Sequence, residues 1–190
     1  MTSLNASLLS TYQADERGNG SDDTVYAAEL AGLYEQYEDR VRAYIRARTP
    51  NVDVGDDLTQ QVFLRALSGL RRFRGGEEQY APWIFRIARN AVADYYRTRR
   101  VSASWESLPV GLHPHTDDLE SLVVRAEDLR RLREALLMLD DDRRDLLALR
   151  FSARLTAGEI AAVIGKSEAA TRKRLLRTLY VVKELYDGMR

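Results

Sequence analysis

The stretch "GEIAAVIGKSEAATRKRLLR", residues 158–177, reads as an apolar helix, a glycine, a serine and a second helix carrying four cations in six residues. Thr156, three residues before Glu159, has the form of a capping box, in which side chain and backbone satisfy each other's amides and start a helix. Gly165 can take the left-handed conformation that ends it, and Ser167 can cap the next. The expectation is a helix-turn-helix. At about 100° per residue, Thr171, Leu175, Thr178, Leu179 and Val182 share one face of the second helix and point inward. Lys173 and Arg177 then lie opposite, flanked by Arg172 and Arg174. Ala169 and Ala170 fill the first turn, where small side chains allow close approach to base edges. A lone basic helix can be a merely solvated surface. The tight turn between two capped helices, with charge concentrated just beyond it, favours DNA instead. Lys166 stands where many such motifs carry an apolar residue.

Charge elsewhere supports that reading. The chain has 190 residues with 29 basic and 29 acidic side chains, so its formal net charge is zero, and the distribution carries the information. Residues 83–100 hold five arginines against Asp94, and residues 165–178 hold five cations against Glu168. Between them, residues 106–128 hold six acids against Arg125, and residues 15–29 hold five acids against one base. Two basic helices are separated by an acidic connector.

Periodicity gives the rest of the architecture. Apolar residues from Val25 to Ala47 recur at Leu30, Leu33, Tyr34, Tyr37, Val41, Tyr44 and Ile45, the three-and-four spacing of an amphipathic helix. A second helix runs from Asp56 to Leu70 and a third from Pro82 to about Arg100. Further helices are expected near Glu120 to Leu139 and Asp141 to Phe151, with Asp140 to Asp142 as capping residues. All four prolines fall where helical patterns stop. No alternating stretch suggests a strand. The expected fold is all-α: two small helical domains joined by a flexible linker. The expected segments are a disordered acidic amino terminus at 1–24, a first domain at 25–100, a linker at 101–119 and the helix-turn-helix domain at 120–190.

In the third helix, Ile84, Ile87, Ala88, Ala91, Val92 and Tyr95 form the inward stripe. Arg86, Asn90, Arg97 and Arg100 fall on one outward face. Preceded by "FRGGEEQY", residues 73–80, this surface suits single-stranded nucleic acid: cations track phosphates while a loop and an aromatic hold an unstacked base. Tyr80, beside the glycine pair, is the candidate for touching a base, with Phe73 and Arg74 in the same loop. Trp83 and Phe85 read as core.

Several function classes drop out. The chain has no cysteine and only two histidines, His113 and His115, which leaves no disulfide, thiolate metal site or histidine cage. It lacks a phosphate-cradling glycine loop and a nucleophile arrangement, so no catalytic residue, metal or cofactor is expected. Adjacent Asp56 and Asp57 splay apart on a helix and suit a partner-facing surface better than metal binding. No apolar run is long enough to insert in a membrane and no secretory signal is present, so the expected location is the cytoplasm.

The blocks "DDLTQQVFLRALSGLRRFRGGEEQYAPWIFRIARNAVADYYRTRR" and "LDDDRRDLLALRFSARLTAGEIAAVIGKSEAATRKRLLR", in this order and spacing, resemble a bacterial sigma factor of the extracytoplasmic-function group. The resemblance covers roughly residues 30–185. It implies that Asp56, Asp57, Gln60 and Gln61 bind the β′ clamp helices of core RNA polymerase, with Gln61 where the family usually has glutamate. Phe73, Arg74 and Tyr80 would belong to a pocket for a flipped-out base of the minus-ten element. Arg86, Asn90, Arg97 and Arg100 would contact neighbouring strand and duplex. Ser167, Ala169, Ala170, Arg172, Lys173, Arg174 and Arg177 would read the minus-thirty-five element, while the second domain leans on the β flap. The connector, with Asp117, Asp118 and Glu120, would thread toward the polymerase active centre. Promoter DNA and an anti-sigma factor are the further partners implied. The rival is a stand-alone helix-turn-helix regulator, which would bind free duplex as a symmetric dimer.

Overall fold

The structure is a computed structural model and describes residues 20–100 and 119–189; the side chains of 20–25, 27, 99, 100 and 119–126 lie outside that description. Most of the expected head at 1–24, the connector at 101–118 with Asp117 and Asp118, and the side chains of Arg100 and Glu120 therefore fall beyond it. Every regular element among the described residues is helical.

The first block contains α1 (Gly20–Arg46), α2 (Val52–Leu70) and α3 (Tyr80–Arg100), with one 3-10 turn, Glu77–Gln79, ahead of α3. Helix α1 begins at Gly20, ahead of the expected Val25. Asn51 starts α2 by accepting a hydrogen bond from the Val54 amide at 2.9 Å, which moves the start four residues before the expected Asp56. The periodic apolar positions then converge. Tyr37, Val41, Tyr44 and Ile45 of α1 meet Leu58, Val62, Phe63 and Leu70 of α2 and Ile84, Phe85, Ala88 and Val92 of α3. Each large side chain fully withdrawn from water here contributes about 1.5–3 kcal/mol.

The second block contains α4 (Leu119–Leu137), α5 (Asp141–Leu147), α6 (Ala157–Ile164) and α7 (Glu168–Asp187). Asp140 caps α5, its side chain accepting from the Arg143 amide at 2.8 Å. The helix does not stop at Leu147 but widens into a π turn, Ala148–Ser152, closed by Ala153 N–H donating to the Ala148 carbonyl at 2.9 Å. Arg154 follows in the left-handed region at φ 56°, and the chain turns into α6.

The two blocks pack against each other. Leu146, Ala148, Leu149, Ala153, Leu155, Ile160, Val163 and Leu175 join the same buried cluster as the first block's core. Polar bonds cross with them: Tyr44 donates to Asp145 at 2.6 Å, Arg89 to Asp145 at 2.7 Å, Arg48 to Asp141 at 2.7 Å, and Arg40 to the Ala153 carbonyl at 2.8 Å. No single helix announces this association, because its partners stand 56 to 113 residues apart in sequence.

Candidate nucleic-acid interface

Helices α6 and α7 meet at a short turn whose every bond can be named. Thr156 Oγ1 accepts from the Glu159 amide at 3.2 Å while the Glu159 carboxylate accepts from the Thr156 amide at 2.7 Å, the reciprocal capping pair the spacing implies. Gly165 ends α6 at φ 67°, ψ 42°, and the Gly165 and Lys166 amides both donate to the Ala161 carbonyl. A side chain at this φ is strained, which is why glycine stands here. Ser167 then caps α7, accepting from the Ala170 amide at 3.3 Å.

The inward face of α7 is narrower than the sequence suggests. Thr171, Leu175 and Thr178 are buried, but Leu179 is 42% exposed and Val182 half-buried, because α7 runs past the block's core. Thr171 occupies an apolar-type position by donating its hydroxyl to the Ser167 carbonyl at 3.0 Å, so it buries no unpaired polar atom. Ala169, Ala170, Arg172, Lys173 and Arg177 are exposed, with Arg174 half-buried.

Two of the cations are held by acids, one at the i,i+4 spacing that helical period places and one that only tertiary packing brings near. Arg172 pairs with Glu168 one turn back at 2.5 Å, and Arg174 pairs with Asp142 at the start of α5 at 2.9 Å. Between α5 and α7 lies an open cleft of about 770 Å³ lined by Asp140, Asp142, Lys166, Lys173, Arg174 and Arg177. Lys166, Lys173 and Arg177 are exposed, and no acid among the described residues pairs with them. They are the charges left for an external anion.

On the first block, the loop before α3 is an aromatic stack. The Phe73 ring lies 5.0 Å from Tyr80 at 27° and 4.9 Å from Trp83 at 39°. Gly75 lets the loop fold over it, since a Cβ there would come within 2.6 Å of the Phe73 ring and of Gln79. Phe85 is core, as expected, whereas Trp83 is half-buried and floors the stack. The Tyr80 hydroxyl donates to Glu29 of α1, and this bond, with burial, raises its pKa to about 12. The pairing of Glu29 with Tyr80, 51 residues apart, has no local sequence signature. Arg74 is exposed and donates to the Arg71 and Phe73 carbonyls, which shapes the loop.

Along α3, Arg86, Asn90 and Arg97 are exposed at helical spacing on one side. Arg86 reaches back to the Pro82 carbonyl at 3.3 Å, and Arg97, 81% exposed, pairs with Asp94 at 3.0 Å. Opposite them, Ile84, Ala88, Ala91 and Val92 are buried while Ile87 and Tyr95 are half-buried.

The α2 surface divides its two aspartates. Asp57, Gln60 and Gln61 are exposed. Asp56 is instead gripped by Arg46 at 2.9 Å and Arg42 at 3.2 Å, which ties α1 to α2. Among the described residues no cluster of three metal-ligating side chains exists, and no helix is long and apolar enough to cross a membrane.

Proteins of similar sequence are sigma factors. Residues 33–101 match the Sigma-70 region 2 family. The chain is 33% identical over 156 residues to the extracytoplasmic-function RNA polymerase sigma factor BldN of Streptomyces coelicolor, a match covering 77% of this chain and 57% of BldN. It is 32% identical over 158 residues to the RNA polymerase sigma factor YlaC of Bacillus subtilis, covering 82% of this chain and 90% of YlaC. Its fold is similar to that of the sigma factor RpoE of Bartonella quintana, solved with the anti-sigma factor NepR, at a TM-score of 0.65, 23% identity, and coverage of 85% of this chain and 99% of that one.

Proposed function

Because this chain belongs to the extracytoplasmic-function sigma factors of bacterial RNA polymerase, we propose that it docks on the core enzyme and positions two weak DNA surfaces along a promoter. Helix α7 reads the minus-thirty-five element. Lys166, Lys173 and Arg177 neutralise phosphates, while Ala169 and Ala170, with Arg172 and Arg174 alongside, approach base edges. The loop of Phe73, Arg74 and Tyr80 takes an unstacked base of the melted minus-ten strand, and Arg86, Asn90, Arg97 and Arg100 follow its backbone. Capturing a flipped base offsets part of the cost of unpairing duplex.

Polymerase docking falls to the exposed part of α2, Asp57, Gln60 and Gln61. Asp56 supports that surface through its arginine pairs. The second block rests on the β flap, and the connector runs toward the active centre. The protein acts in the cytoplasm, without catalysis of its own, and an anti-sigma factor holds it silent. Kinship does not favour a stand-alone helix-turn-helix regulator.

The observation that carries the reading is the presence of two exposed cationic faces, on α3 and α7, in separate helical blocks of one chain. Each neutralises only a few phosphates, so each alone binds weakly. Tethering both to one polymerase makes their contacts intramolecular and multiplies modest affinities. Run-off transcription with purified core polymerase across a genomic fragment library tests this. Discrete transcripts that require the added protein are expected, and their absence would reject the reading.

A further inference from the structure

The surface suited to single-stranded DNA carries cations, yet its aromatic stack is bounded by an acid. Leu30 and Leu33 are buried, which fixes α1 against the core and leaves the adjacent Glu29 half-buried at its rim. There one carboxylate oxygen accepts a hydrogen bond from the Tyr80 hydroxyl, and the second has no hydrogen-bond partner among the described residues. A carboxylate repels phosphate, so this position works against binding of the DNA backbone. Its chemistry suits a donor on a base.

Glu29 and Tyr80 together form an edge of acceptors. A carboxylate has lone pairs and no proton to give. The Tyr80 hydroxyl directs its one proton to Glu29 and, with its pKa raised to about 12, keeps it at neutral pH, so the phenolic oxygen also offers only lone pairs. Phe73 stacks on Tyr80 with ring centroids 5.0 Å apart at 27°. A base that joins this stack lies roughly parallel to the Tyr80 ring, and its polar edge falls beside the hydroxyl and Glu29. The four Watson–Crick edges answer such a pair of acceptors differently. Guanine offers two adjacent donors, N1–H and the 2-amino group. Adenine and cytosine each set one amino donor beside a ring nitrogen that is itself an acceptor, so lone pair would meet lone pair. Thymine has a single N–H between two carbonyls.

We propose that Glu29 of α1, acting with the Tyr80 oxygen, is a specificity-determining residue that selects guanine as the unstacked base held on the aromatic loop. The selection rests on the promoter-binding role above and adds to it a base identity and a residue from outside the loop. Two donors matched to two acceptors set guanine about fivefold to a hundredfold above the other bases. Much of that margin comes from rejection, since a base whose acceptor faces an acceptor leaves both without a hydrogen bond.

The test offers core polymerase carrying the full-length protein a pool of forked promoter fragments whose non-template minus-ten strand is single-stranded and randomised, and the bound molecules are sequenced. One position where guanine exceeds every other base by about fivefold or more is expected. Hypoxanthine at that position lacks only the 2-amino group and should bind measurably more weakly than guanine in equilibrium competition. Glu29→Gln keeps the shape of the side chain but gives its end a donor beside the acceptor, so adenine and cytosine should rise to within about twofold of guanine. A loss spread evenly over all four bases would mark a merely structural glutamate and overturn the selection. Should Glu29→Gln lose its cooperative melt, the hypoxanthine comparison on the wild-type protein decides the matter. Equal binding of guanine and hypoxanthine, the lack of any guanine-selective position, or a folded Glu29→Gln with unaltered preference likewise overturns it. Failure of the wild-type holoenzyme to bind any of the pool overturns the promoter-binding role and the guanine selection with it, whereas binding without base preference overturns the selection alone.

Discussion

Replacing Gly165 with alanine isolates the backbone contribution of the α6–α7 turn. At φ 67° a residue with a Cβ pays roughly 1–2 kcal/mol relative to glycine. The site has no other cost, because a Cβ built there meets no atom within 4 Å. The penalty is therefore local, the Cβ against its own backbone, with no contribution from neighbouring elements. For a chain of this size, about 1 kcal/mol lowers Tm by roughly 2–4 °C, so Gly165→Ala should melt roughly 2–8 °C below wild type. Gly165→Asn should recover part of that loss, since asparagine visits the left-handed region more readily. Calorimetry supplies Tm, and urea titration supplies the free energy with an unchanged m-value. The shared core of the two blocks predicts one transition in both. A wild-type Tm in Gly165→Ala would refute the assignment of a left-handed cap. A loss above about 4 kcal/mol would show that the turn is sterically closed.

Three further outcomes are expected. Lys173→Ala and Arg177→Ala should each weaken upstream-element binding and reduce the salt slope by about 1, leaving affinity for core polymerase intact in equilibrium titrations; a fall in core affinity would contradict the division of labour. Asp142→Asn releases Arg174 from its ion pair, so nonspecific duplex affinity at low salt should rise, with a salt slope steeper by up to about 0.9; no rise would show that Arg174 already faces the DNA. Because Tyr80 has its folded pKa raised to about 12 from 10.0, the native state keeps a proton that the unfolded state loses, and this group's contribution to stability is full below pH 10 and disappears as pH rises to about 12. Ultraviolet titration of Glu29→Gln should show one tyrosine moving back toward 10, and an unmoved titration would remove Glu29 as the cause.

Local chemistry made most of the helices legible. Thr156, Glu159, Gly165 and Ser167 specify the α6–α7 turn through bonds within a few residues, so their pattern can be read directly. The core stripe of α3 follows the same logic, since helical period fixes which residues face inward. Boundaries were less legible where a cap lay outside the apolar run, as Asn51 does for α2. Leu179 was misplaced because period assigns a face but not the length over which a neighbour covers it.

The sequence by itself determined an all-helical chain, the capped turn and the two cationic faces, because helix propensity, capping and charge spacing act within about one or two turns. Tertiary structure decided which charges are spent internally and which remain available. Arg174 goes to Asp142, Asp56 to Arg42 and Arg46, Tyr80 to Glu29, and Asp145 to Tyr44 and Arg89. Those pairs join residues 10 to 101 positions apart, and only the packing of apolar faces brings them within hydrogen-bonding range.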